Sequence, residues 1–177
     1  MATIKGGEKL FATLDKIARK ARATLQVGWP AGATGADGQP LALRAAINEF
    51  GAPGAGIPPR PFFRNMIAAK SGEWPKAIGE LLKDNGYDAA NALGQVGEII
   101  KVELQESIAE TIEPALSPVT VMLRGMRAQK RYRDMPFGEL IAEARARVAA
   151  GKTNYGASTK PLVDSGQMQN GVVSIVK

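Results

Sequence analysis

The sequence predicts a helix-rich α+β fold, in which a small mixed or antiparallel sheet packs with several helices. Three observations carry this. Apolar residues recur at helical spacing through most of the chain. Only two stretches, near Leu25 and near the C-terminus, alternate or cluster β-branched residues as strands do. Those two lie at opposite ends of the sequence, so they must meet through long-range pairing. A length of 177 residues suits one domain, taken as 1–177.

From Gly7 to Arg22, residues Leu10, Phe11, Leu14, Ile17 and Ala18 fall on one helical stripe, with basic residues in the last turn where the helix dipole favours them. Leu25, Val27 and Trp29 then alternate with polar or small residues as a strand, closed by Pro30. Residues 31–39 are rich in glycine and turn formers and read as a flexible exposed loop. A second helix is expected from Pro40 to the stop at Gly51.

Pro53, Pro58, Pro59 and Pro61 then deny the backbone both helix and inner strand, predicting an extended arm across the surface. Helices are expected near 63–70 and from Trp74-Pro75 to Lys83. The longest helix is expected from Asp88 to Thr111, with Asp88 as its cap and Leu93, Val96, Ile99, Ile100, Leu104 and Ile108 on its apolar side. A mixed, basic run follows Ser117-Pro118. Gly138–Ala150 reads as a helix ended by Gly151. A polar loop from Lys152, a short turn or helix over Leu162–Asn170 and a final strand in VVSIVK complete the chain.

Composition removes several kinds of chemistry. The chain has no cysteine and no histidine, so disulfides, thiolate nucleophiles, imidazole bases and the commonest zinc ligands are unavailable to it. No cofactor, metal or catalytic residue is assigned, and a hydrolase is disfavoured. The Gly32–Gly38 stretch is no phosphate loop, because Gln39-Pro40 stand where Lys and Ser or Thr are needed. Glu98, Glu103, Glu106, Glu110, Glu139 and Glu143 read as solvated helix faces, with Glu143 placed to pair with Arg147. The start has no apolar core of signal-peptide type, and no stretch nears the roughly twenty apolar residues a bilayer crossing needs. A soluble protein made in the cytoplasm, without membrane contact, is therefore expected.

A net charge of +6 allows contact with nucleic acid or an acidic partner. Arg124, Arg127, Lys130, Arg131 and Arg133, with Tyr132 among them, are the candidates for an ionic or phosphate contact. The proline-laced arm is the other candidate site. Phe62 and Phe63 at its end either pack into the subunit's own core or anchor a neighbour.

Three segments, AAINEFG (45–51), IPPRPFFRNMI (57–67) and KPLVDSGQMQNGVVSIV (160–176), resemble the signature of tail-completion or head–tail joining proteins of tailed bacteriophages, the minor tail protein Z-like or virion morphogenesis group. The segments stand in the family's order. The region from about Ser71 to Ala150 carries no matching motif. The resemblance implies a non-enzymatic virion protein of the neck or tail, assembled as a homo-oligomeric ring, hexameric or dodecameric. Its neighbours would be a portal-side connector or adaptor and the tail terminator or tail tube protein, with the genome DNA passing through the lumen. A tail terminator capping the tube and a cytoplasmic nucleic-acid-binding protein are the alternatives.

On this reading Glu49, Phe50, Ile57, Pro58, Arg60, Pro61, Phe62 and Phe63 form an inter-subunit surface. Leu162, Asp164 and Gly166 shape the C-terminal turn, with Asp164 capping it through backbone N–H groups. Changing Arg60 and Phe62 to Ala is expected to weaken ring assembly more than subunit folding.

Overall fold

A computed structural model describes residues 7–152 and 156–177. Residues 1–6, part of the start read for a signal peptide, and residues 153–155 of the polar loop lie outside the described residues. Eight α-helices and a two-stranded antiparallel sheet are present among the described residues, in agreement with a helix-rich α+β class.

Helix α5, Ala89–Glu110, is the central element. Asp88 caps it as expected, its carboxylate accepting from Asn91 N at 3.1 Å. Val96, Ile100, Leu104 and Ile108 face inward, and so do the small residues Ala89, Ala92 and Gly97. Ile99, expected on the apolar side, is instead half exposed. The 3.6-residue period turns position 99 away from the stripe set by 96, 100, 104 and 108. Gly97 lets the sheet approach closely. A Cβ there would stand 2.7 Å from Leu25 Cδ1 and 3.0 Å from Ser174 Cβ.

The sheet joins the chain's two ends. Strand β1, Leu25–Gly28, pairs with β2, Val173–Val176, in the register Leu25↔Val176 to Gly28↔Val173. Thr24 and Lys177 exchange both backbone hydrogen bonds and extend the pairing. Helices α2 (Leu41–Phe50), α3 (Phe62–Lys70) and α4 (Trp74–Asp84), with the short α8 (Gln167–Asn170), complete the main core. Phe62, Met66, Leu162, Met168 and Val172 pack there against α5.

A second cluster lies to the side. Helices α6 (Pro118–Arg127) and α7 (Phe137–Ala149) enclose Met122, Met126, Tyr132, Leu140 and Ala144. The motif-free region 71–150 is thus not of one kind: its α5 is the spine of the main core, whereas α6 and α7 form their own small one.

Helix α1, Gly7–Lys20, stands apart, with no buried residue. Its predicted apolar stripe exists but faces outward, leaving Leu10, Phe11 and Leu14 more than half exposed. Residues 31–39 are more tightly held than a free loop. Gly35 and Leu41 donate to the Gln39 and Ala33 carbonyls, and both Asp37 carboxylate oxygens bond Arg44 Nη2 at 2.7 Å. No helix among the described residues is long and apolar enough to cross a membrane.

Candidate functional site

Each of the three distinctive segments can be followed from its residues to its contacts. Helix α2 ends with Glu49, Phe50 and Gly51. Gly51 takes φ 76°, and a Cβ on it would lie 2.8 Å from Pro59 N and 2.9 Å from the Ile57 oxygen. Only glycine fits both this left-handed conformation and the close return of the chain. The chain does return. A 3₁₀ turn at Pro53–Ala55 and an Ala52↔Ile57 bridge fold residues 52–57 into a tight loop, and Arg60 N donates to Asn48 O at 2.7 Å.

The extended arm expected here is therefore a folded-back loop. Proline excludes regular ladders but not a 3₁₀ turn or isolated bridges, and the glycines at 51, 54 and 56 supply the reversal.

Helix α3 begins at Phe62 after Pro61, which has no side chain able to cap it. Glu49 supplies the cap from the neighbouring helix. Its carboxylate is 5% exposed and accepts from Phe63 N at 2.8 Å, Arg64 N at 3.2 Å and Arg64 Nε at 2.7 Å. Two orphan N–H groups of the first turn and one guanidinium are satisfied by one buried carboxylate. Phe62 is 1% exposed, meets Trp29 edge-on at 6.2 Å, and has its carbonyl bonded by Ser107 Oγ at 2.7 Å.

Arg60 is 3% exposed, and its Nε donates to Pro114 O at 2.8 Å. Glu49 and Phe62 are thus committed inside the subunit, and Arg60 is held by the Pro114 carbonyl with only the rim of its guanidinium lining the cleft described below. The expected order of effects for the Arg60 and Phe62 pair reverses accordingly, since folding suffers first. Ile57, Pro58, Pro61 and Phe63 are half-buried, whereas Phe50 is 65% exposed beneath the Arg64 guanidinium.

The C-terminal turn is organised from α6. Arg124 donates to Lys160 O at 2.7 Å, Pro161 O at 2.8 Å, Ser158 O at 3.2 Å and Val163 O at 3.5 Å, so a single side chain gathers four carbonyls of a segment without regular secondary structure. Leu162 is buried in the main core and Gly166 takes φ 74° before α8. Among the described residues Asp164 accepts no backbone N–H and caps nothing; its exposed carboxylate lies 3.6 Å from Arg124 Nε instead. Burial lowers the Arg124 pKa, with Asp164 opposing. Arg124 dominates this turn, and an arginine inside a basic run gives no sequence sign of such a role.

The remaining basic residues are divided. Arg127 lies over the Phe137 ring at 5.1 Å, and Arg131 and Arg147 lie over Tyr132 at 4.5 and 5.3 Å. Lys130 and Arg133 are exposed. Arg147 also bonds Glu143 at 2.7 Å, the pair expected on α7.

The Pro58–Arg60 loop, the start of α6 and the C-terminal turn surround one open cleft of about 710 Å³, in which the second and third distinctive segments meet and to which the first contributes Asn48. No metal-binding group of acidic residues is present among the described residues. Protein-family models, curated proteins and solved structures gave no match to this chain.

Proposed function

We propose that the chain is a structural subunit of the tailed-bacteriophage neck, forming a homo-oligomeric ring that joins tail to head. The observation that carries this reading is the resemblance of three ordered segments, all of which contribute to one cleft, the first through Asn48, while Glu49 and Gly51 bind the first to the second.

Surface properties support an assembling protein. Leu10, Phe11 and Leu14 on α1, Leu43 and Phe50 on α2, and Phe137 on α7 are all more than half exposed. Leu10, Phe11 and Leu14 share one face of α1, and a contiguous apolar face suits an interface. Among the described residues each strand of the sheet is paired on one side only, which leaves an edge that another copy could pair with. A heterologous contact of this kind closes into a ring when its rotation divides a full turn.

Removing the gene from the phage that encodes it tests the role. Full heads and finished tails that fail to join, and that join when purified protein is added, are the expected result. Normal particles would refute it. Tails of uncontrolled length would instead indicate the terminator role.

A further inference from the structure

The cleft between the 56–60 loop, α6 and the C-terminal turn has an unusual charge arrangement. Arg44, Arg60, Arg124 and Arg127 line it against only Asp37 and Asp164, an excess of two positive charges. Arg44 is matched by Asp37 at 2.7 Å and Arg124 by Asp164 at 3.6 Å. Arg60 and Arg127 have no carboxylate partner within 4.0 Å among the described residues.

Arg60 matters most. The residue is 3% exposed, yet its bonds go only to carbonyls, Nε to Pro114 and Nη2 to Ala115, and Nη1, which has no acceptor among the described residues, is not sealed from solvent but left to the cleft that Arg60 lines. A buried charge ordinarily acquires a counter-charge or surrenders its proton, and a guanidinium hardly surrenders one. Burial first, and then the nearby Arg124 charge, lower the Arg60 pKa, with Glu113 opposing. An anion placed in the cleft would relieve both.

We propose that this cleft is an oxyanion-binding site, holding a carboxylate or phosphate group against Arg60 and Arg127. The Ser117 and Thr120 hydroxyls lie at the same wall. The start of α6 is already capped by Ser117, so the charge comes from the arginines rather than the helix end. Ile57, Pro58, Leu116 and Leu162 form the apolar part of the lining, suited to the stem of a group that carries the anion. The site does not depend on ring formation.

The test is a titration followed by amide and arginine Nε resonances, with ionic strength held constant by chloride. One arm adds inorganic phosphate and the other a capped tetraglutamate peptide. Saturable shifts at Ser117, Thr120 and Arg127 are expected. Binding should weaken about tenfold in Arg127→Gln, but not in Arg145→Gln, which removes an exposed charge elsewhere on α7. Both replaced side chains are exposed, so both variants keep the fold.

Saturation by phosphate identifies a free-ion site, saturation by the peptide a site for a protein carboxylate, and either sustains the proposal. Shifts no larger than those produced by chloride, or equal weakening in the two variants, would overturn it.

Discussion

Glu49 and Gly51 together decide how the chain leaves α2 and enters α3. Glu49→Ala strips the α3 cap from two backbone N–H groups and frees Arg64, so a loss of about 1–3 kcal/mol in chemical unfolding is expected. Gly51→Ala meets both the positive φ and the Pro59 contact, and a comparable loss of about 1–3 kcal/mol is expected. Asp164→Ala differs. Its carboxylate is 62% exposed and only 3.6 Å from Arg124, so the unfolding midpoint should move little, by less than about 1 kcal/mol.

Acid should act through other carboxylates. Asp88 is lowered first by the Asn91 N–H bond, Asp37 first by the Gln39 N–H bond, and Glu98 first by its Lys101 bond. Groups whose folded pKa is depressed stabilise above the unfolded value and cease to do so as pH falls through the folded one. Stability should hold through neutral pH and decline below the ordinary carboxylate range. A pH series of thermal midpoints checks the sign.

Among the elements, α5 and the sheet depend on a close approach at Gly97. Gly97→Val drives a branched side chain into Leu25 and Ser174, and a loss of about 1–3 kcal/mol is expected. The helices were legible wherever a periodic stripe and an end signal coincided, as in α5 with Asp88 and α7 with Gly151. Both strands were legible as strands, but VVSIVK was equally suited to pairing within or between subunits, and its pairing with β1 inside the chain is what the structure adds.

The proline-rich segment folds back instead of extending for a definite reason. Proline reports which ladders are forbidden, not where the chain goes. Its path is set by Glu49 and Arg60, whose partners lie 14 and 54 residues away. Arg124 stands out in the sequence only as one of a basic run, and its hold on the C-terminal turn does not show there because its acceptors are backbone carbonyls 34 to 39 residues further on.

For the molecule as a whole, the outward stripe of α1 is the surface on which the proposed assembly can be tested apart from folding. Its Leu10, Phe11 and Leu14 are not part of either core cluster, so replacing all three with serine should leave the thermal midpoint unchanged while abolishing association with other copies. The central claim is that this chain exists as a closed ring. Multi-angle light scattering on the purified wild-type protein, with the same fractions viewed by negative stain, tests it most directly. A single oligomeric mass and annular particles with a central opening are expected; a stable monomer at micromolar concentration, with no rings in any field, would contradict it.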